Sequence, residues 1–322
     1  MYTDVKLEKG LYSITSKSFT QALAELDPDS DYKGTELEGL DAFERQLKRF
    51  DIKVAGNCCD RVEKFFLSTD SAVLFPEYVR RQIKEGMDSV SILPDITAAQ
   101  TYTDSIDFRA LTMTADGEEA DIDQLATLPE TTVTLASSSS ALTKFGRQLA
   151  CSYESIRKQR LEAFGVILRT LGAQISRAIN SKCIEVLSDA AEASTYSSDI
   201  TYADLASFWA AMDEYDMDVM LASPEMMAKI LALDEMKYCV TDFMSGGKVV
   251  TPYGVTIVKC SALDSDTAIG IDSKCAAEVI YGTDVIVDSD KLISTQSDNI
   301  AASIMCGFAV LTSDAVKKLQ PA

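Results

Sequence analysis

The 322-residue chain contains no histidine, and that removes most familiar catalytic chemistry. Ser-His-Asp and Cys-His catalysis, the commonest metal ligand and the usual neutral-pH proton shuttle all depend on it. Of eight cysteines only Cys58 and Cys59 are adjacent, and the others stand alone without metal-ligand spacing. Asp27-Pro28-Asp29-Ser30-Asp31 with Glu38 echoes a calcium loop, acidic at positions 1, 3, 5 and 12. Its position 6, where the loop needs glycine, is Tyr32, and its position 8 is Gly34 where an apolar residue belongs. A solvated linker is the plainer reading. Ser245-Gly246-Gly247-Lys248 has the composition of a phosphate loop but not the spacing, and no clear strand precedes it. Asp284, Asp288, Asp290 and Asp298 follow no fixed ligand pattern and read as solvent-facing acids. No catalytic, cofactor-binding or metal site is expected, and no cofactor.

The distribution of charge says more. With 30 Lys+Arg against 50 Asp+Glu, the net charge of −20 argues against a dedicated nucleic-acid binder. From Asp104 to Glu130 there are eight acidic residues and one basic residue, Arg109. The sign then reverses. Lys144, Arg147, Arg157, Lys158, Arg160, Arg169, Arg177 and Lys182 face only Glu154 and Glu162 in the same stretch. The plain readings are a solvated hairpin and a solvated helix face. The functional reading is an arm carrying Asp116, Glu118, Glu119, Asp121 and Asp123 that lies on a neighbouring subunit's basic surface.

The elements that would hold these charges follow from periodicity. Ser152 to Ala190 reads as one amphipathic helix, with Ile156, Phe164, Leu168, Leu171, Ile175, Ile179 and Leu187 among its apolar positions. Ser152 is its N-cap, and no proline falls between Pro129 and Pro224. Such a helix would be roughly 55 Å long, about twice what a compact domain needs. That length suggests a spine spanning two regions, or a subunit packed edge to edge with its neighbours.

Before the spine, residues 1–38 read as polar and mobile, with one short helix at Phe19 to Leu26. Leu40, Phe43, Leu47 and Phe50 make a stripe on a helix ending near Asp51, and Arg61 to Leu67 is a second helical patch. Pro76 opens a helix through Lys84 that Gly86 stops. Phe108 to Thr114 and Thr131 to Leu135 are strands, with a turn at Ala115-Asp116-Gly117. After the spine, helix and strand signals alternate as in a compact α/β lobe. Thr201 to Tyr215 is helical, Asp218 to Ala222 a buried strand, and Ser223-Pro224-Glu225 a helix start. Val255 to Val258, Ala268 to Ile271, Val285 to Val287, Leu292 to Thr295 and Ile300 to Leu311 are strands. The N-terminus has no signal-peptide pattern, and the longest apolar run, Ile304 to Leu311, is too short to cross a bilayer. The cysteines are accordingly expected to be reduced, mostly buried thiols.

This order of elements resembles the major capsid protein of tailed phages, of the Hong Kong 97 type. The residues that carry the resemblance are Val73-Leu74-Phe75-Pro76-Glu77-Tyr78-Val79, then Phe145-Gly146-Arg147-Gln148-Leu149 leading to Ser152-Tyr153-Glu154-Ser155-Ile156. Asp298-Asn299-Ile300, Gly307-Phe308-Ala309-Val310 and Ala315-Val316 complete the set. It covers nearly the whole chain from about Leu40 and rests on architecture, since the family has no catalytic signature. The implied fold is α+β, with a long spine helix on an antiparallel P-domain sheet. The implied division is an N-terminal arm at 1–76, a first P-domain part at 77–106 and an E-loop at 107–136. The P-domain with its spine follows at 137–190, an α/β A-domain at 191–280, and P-domain terminal strands at 281–322.

The implied function is structural, not enzymatic. Copies of the chain would assemble in the host cytoplasm into hexamers and pentamers of an icosahedral shell enclosing double-stranded DNA, contacted weakly and non-specifically. The implied partners are further copies, a portal, a scaffold, and decoration or protease proteins. The chain departs from the family in one respect. Some members weld the shell by an isopeptide bond from an E-loop lysine, and here no lysine lies between Tyr102 and Thr143. Two other readings stand beside this one: an encapsulin-type nanocompartment shell, and a soluble α/β enzyme using Cys58, Cys59 or a carboxylate pair.

Overall fold

A computed structural model of the chain describes residues 5–13, 17–105, 107–116, 128, 130–135, 140–197, 199–238, 249–292, 294 and 296–322. In chain order its helices are α1 (Phe19–Leu26), α2 (Ala42–Arg49), α3 (Thr69–Asp88), α4 (Leu93–Ile96), α5 (Tyr153–Arg157), α6 (Leu161–Ala190), α7 (Tyr202–Ala210), α8 (Pro224–Ala232) and α9 (Asp234–Lys237). Its strands are β1 (Ala99–Tyr102), β2 (Asp107–Phe108), β3 (Leu111–Asp116), β4 (Glu130–Leu135), β5 (Ser140–Ala141), β6 (Thr143–Ser152) and β7 (Glu192–Tyr196). They continue with β8 (Val219–Ala222), β9 (Val249–Val250), β10 (Thr256–Lys259), β11 (Ala268–Ile271), β12 (Ala277–Leu292), β13 (Ser297–Val310) and β14 (Val316–Pro321). One sheet has the order β1-β12-β13-β6 and a larger one β7-β14-β11-β8-β10-β9, while β2-β5 and β3-β4 are separate pairs. β1 joins β12 in parallel, so the four-stranded sheet is not wholly antiparallel.

The chain divides into two compact units. The first takes Met1–Val90, Gly146–Ser176 and Val285–Ser303; the second takes Ser91–Phe145, Arg177–Asp284 and Ile304–Ala322.

The helices of the first unit start where capping boxes place them. Ser18 with Gln21, Asp41 with Glu44 and Ser68 with Ser71 each satisfy backbone donors at the first turns of α1, α2 and α3. α1 occupies Phe19–Leu26, as the sequence predicts. α3 does not: it begins at Thr69 and runs through both Pro76 and Gly86. Proline lacks an N–H and its ring crowds the carbonyl four residues back, so a helix normally breaks there. Here the Tyr12 hydroxyl enters the next rung, donating to the Val73 carbonyl at 2.7 Å and accepting from the Glu77 N–H at 3.1 Å. Gly86 marks a close approach instead of a stop. A Cβ there would stand 2.1 Å from the Arg169 carbonyl oxygen, and one at Gly172 would stand 2.0 Å from that of Ile83. The two glycines let α3 and the first turns of α6 pack backbone to backbone. Phe65, Leu74, Ile83, Leu161, Phe164 and Leu168 are buried around that crossing.

The spine is also shorter than the periodicity predicts. β6 extends to Ser152, α5 is a single short helix, and α6 begins only at Leu161. The break has a tertiary cause. Arg160 forms an antiparallel bridge with Arg61, the Val62 N–H donates to Gln159 O at 3.0 Å, and the Leu161 N–H donates to Asp60 O at 2.9 Å. Strand-like pairing thus overrides helix propensity at Lys158–Arg160, leaving a helix roughly 45 Å long.

Residues 17–38 are a folded part of this unit, contrary to the polar, mobile segment predicted. Asp27, the first position of the calcium-like loop, is fully buried and engages the buried Arg45 at 3.1 Å. Tyr32 Oη donates to Asp27 at 2.6 Å, and Arg45 also reaches Asp29 at 2.8 Å. These carboxylates are committed to a guanidinium.

In the second unit the six-stranded sheet has β8 and β11 at its centre, buried at every residue. β8 pairs antiparallel with β11 and parallel with β10. Ser223 caps α8 by accepting from the Met226 N–H at 3.2 Å, as predicted. Leu205, Phe208, Met212, Met220, Met226 and Ile230 lie in the core on this sheet, while Trp209 stays 41% exposed against Tyr253. The last strand, β14, lies between β7 and β11 in this sheet. The strand expected at 285–287 lies within β12, which ends at Leu292; of the one expected at 292–295, Ile293 and Thr295 lie outside the described residues.

Candidate assembly surfaces

The acidic arm is a two-stranded hairpin whose ladder runs without interruption from Leu111↔Leu135 to Asp116↔Glu130. The turn expected at Ala115-Asp116-Gly117 is therefore not there, because both Ala115 and Asp116 remain in the ladder. Alternation along paired strands places Leu111, Leu135 and Val133 on one face. Their exposures are 56%, 61% and 57%, and Leu128 is 72% exposed. The opposite face presents Thr132 and Thr134, also exposed. Asp116 ends β3, whereas Glu118, Glu119, Asp121 and Asp123 lie outside the described residues.

The hairpin's root is firmly held. β2 pairs with β5, and Ala110, Leu142, Ile280 and Ala309 form a buried cluster with Phe108, Met305 and Leu311. Leu142 fits over Gly282 and Gly307, where added Cβ atoms would meet it at 2.7 and 2.9 Å. A fixed root with an uncovered apolar blade resembles one half of an interface, since an isolated two-stranded ribbon is marginally stable in water.

The eight basic residues are divided between the two units. Arg147, Arg157, Lys158, Arg160 and Arg169 fall in the first unit, and Lys144, Arg177 and Lys182 in the second. Arg169 donates to Gln82 at 2.5 Å and lies 3.5 Å from Glu85, and Lys182 pairs with Glu185 at 2.9 Å. Their charge is partly answered within the chain. Lys144 and Arg147 are exposed on β6, Lys158 and Arg160 on the break before α6, and Arg177 on α6. The sequence reading missed Arg61, which belongs with them through its bridge to Arg160. Only the pairing of distant segments reveals it.

The buried titratable groups serve packing. Glu77 is buried, which pushes its carboxyl up, but Arg80, Arg81 and Thr20 outweigh burial and hold it below the ordinary range. Burial raises the Cys183 and Cys306 thiols to about 12 and Cys275 to about 11. Cys58 is exposed and Cys59 buried, and the described cysteines are free thiols; Cys239 and the segment Ser245 to Lys248 lie outside the described residues. Asp284, Asp288 and Asp290 are exposed as predicted, while Asp298 is half-buried.

The four-stranded sheet, the six-stranded sheet with its helices and the separate hairpin are those of the Hong Kong 97-type capsid fold. The virus-like particle from Pyrococcus furiosus superposes with a TM-score of 0.56 at 14% identity, over 76% of this chain and 98% of that one. The protein of Gordonia phage Cozz gives 0.55 at 14% identity, over 72% and 86%. The capsid of cyanophage P-SCSP1u gives 0.51 at 14% identity, over 71% and 87%. No curated protein matches the sequence. The family described as "Phage capsid protein" matches residues 136–319, more than half of the chain, and the chain belongs to it. It is a major capsid subunit, a structural component of the virion.

Proposed function

We propose that this chain self-assembles into hexamers and pentamers of an icosahedral shell enclosing double-stranded DNA. The observation that carries the proposal is the hairpin, a rooted arm whose Leu111, Val133 and Leu135 stay uncovered in the single chain. Copies of the chain would cover that face with one another. In this reading residues 1–76 are an arm, 107–136 an E-loop, 191–280 an axial lobe, and the remainder the peripheral part of the subunit. The acidic stretch at Asp116, Glu118, Glu119, Asp121 and Asp123 meets a neighbour's basic surface. The shell works without catalysis and without cofactor. Its other partners are a portal, a scaffold, and decoration or protease proteins, with assembly in the host cytoplasm. DNA is touched weakly, consistent with a net charge of −20.

With no lysine between Tyr102 and Thr143, the hairpin has no amine for an isopeptide cross-link, and non-covalent contacts hold the shell. Sedimentation of the purified full chain tests the reading: a megadalton species that boils to a single monomer band on a denaturing gel is expected. A purely monomeric chain contradicts self-assembly, and a reductant-resistant ladder contradicts the non-covalent shell.

A further inference from the structure

The bridge between Arg61 and Arg160 sets two like charges opposite each other. The flanking hydrogen bonds, Val62 N–H to Gln159 O at 3.0 Å and Leu161 N–H to Asp60 O at 2.9 Å, make this a non-hydrogen-bonded pair. That is the register in which facing side chains come closest, with Cα atoms roughly 4.5 Å apart. Like charges directly opposite there work against the pairing. Yet this is the pairing at which the spine stops, since α6 begins at Leu161.

Little within the chain offsets the repulsion. Glu63 lies 3.8 Å from Arg61 with both side chains more than half exposed, and such surface pairs contribute little. Lys158 and Arg160 are exposed, and among the described residues no ion pair engages either. Other cations of the same unit are answered. Lys64 lies 3.6 Å from Asp51 and 3.9 Å from Asp60, and Arg169 lies 3.5 Å from Glu85. The uncompensated charge is therefore concentrated on one opposed pair, open to solvent.

We propose that Arg61 and Arg160 bind a compact oxyanion of the phosphate type, which clamps the Asp60–Val62 segment to the start of α6. A guanidinium is a planar fork whose N–H groups meet two oxygens of a phosphate at once. Two forks on adjacent strands can close on a single tetrahedral anion, and a negative charge between them turns repulsion into attraction on both sides. Both side chains are exposed, so the anion enters from solvent without opening the core. Lys158 supplies a third cation on the same stretch. The surroundings favour a small anion over a polyanion. Glu63 and Glu162 follow the two arginines by two residues each, and the chain carries a net charge of −20, so an extended polyanion meets carboxylates as soon as it leaves the pair. The inference does not depend on whether the chain forms shells.

The test titrates the full chain with inorganic phosphate at millimolar concentration, with ionic strength held constant by sodium chloride. Wild type gains roughly 2 °C or more in melting temperature, saturably, at phosphate well above its dissociation constant. Amide exchange at Val62 and Leu161, the donors of the flanking bonds, slows with it. Arg160→Gln removes one fork and the repulsion together. Its melting temperature in chloride matches or exceeds that of wild type, while its phosphate affinity falls roughly tenfold or more. Arg160→Glu, which pairs with Arg61 itself, also keeps its melting temperature and shows no saturable gain. General salting effects act on all three chains alike, so an equal gain in the variants overturns the proposal. The absence of a saturable gain in wild type does so too. Variants that melt lower than wild type in chloride overturn it as well, because the arginines would then not repel. Duplex DNA that stabilises wild type where phosphate does not would assign the pair to nucleic acid and overturn the compact anion.

Discussion

Removing one hydroxyl tests how the first unit tolerates a proline inside a 20-residue helix. Tyr12→Phe deletes the group that donates to the Val73 carbonyl at 2.7 Å and accepts from the Glu77 N–H at 3.1 Å. The phenyl ring remains stacked on Phe19, with centroids 4.3 Å apart, so the substitution isolates the two hydrogen bonds. Two bonds at about 0.5–1.5 kcal/mol each give a loss of roughly 1–3 kcal/mol. Tyr12 retains 38% of its surface, so water reaches the site and the lower half, about 1–2 kcal/mol, is expected. Pro76→Ala removes the reason for the insertion. In that background α3 can close its own rung, and Tyr12→Phe should cost under about 0.5 kcal/mol, a coupling beyond the additivity of independent sites. Denaturant titration of the unassembled subunit, with amide exchange along α3 as the local readout, measures both. Equal costs in the two backgrounds would refute the inserted-hydroxyl account.

Three further changes probe the same unit. Gly172→Ala puts a Cβ 2.0 Å from the Ile83 carbonyl, and the overpacking of about 1–3 kcal/mol exceeds the helix gain of about 1 kcal/mol; thermal unfolding should show a net loss, and none for Gly10→Ala, which has open space. Arg45→Leu leaves Asp27 buried without its ion pair and should cost about 3–5 kcal/mol in urea, much of it recovered by adding Asp27→Leu. Glu77 has a folded pKa below its ordinary 4.5, so its stabilisation is present above that value and lost as pH falls through the folded one. Wild type should exceed Glu77→Gln most near neutral pH, with the gap closing below about pH 4.5; a gap that stays constant down to pH 2 would contradict the charge-based role.

What the sequence made legible was local. α1 and α2 were read as short helices, α2 from its apolar stripe; the start of α8 follows from Ser223-Pro224-Glu225, and β8, β10 and β11 from short apolar runs. Several of the errors come from long-range partners. Ser152 to Ala190 looks like one helix until the Asp60–Val62 segment pairs with Gln159–Leu161. Gly86 looks like a stop until Arg169 lies against it. β6 escaped notice because most of its residues are exposed and show no alternation, and β14 because two lysines interrupt its apolar positions. Asp27 read as a solvated acid because Arg45, its partner, lies on another helix. The acidic arm and the basic stretch were visible as composition; the pairing of Arg61 with Arg160 was not.

Electron microscopy of the purified full-length chain bears most directly on the central claim. The account predicts closed icosahedral shells built of six-fold and five-fold clusters. A homogeneous field of monomers or small open oligomers, under conditions where the subunit is folded, would contradict it.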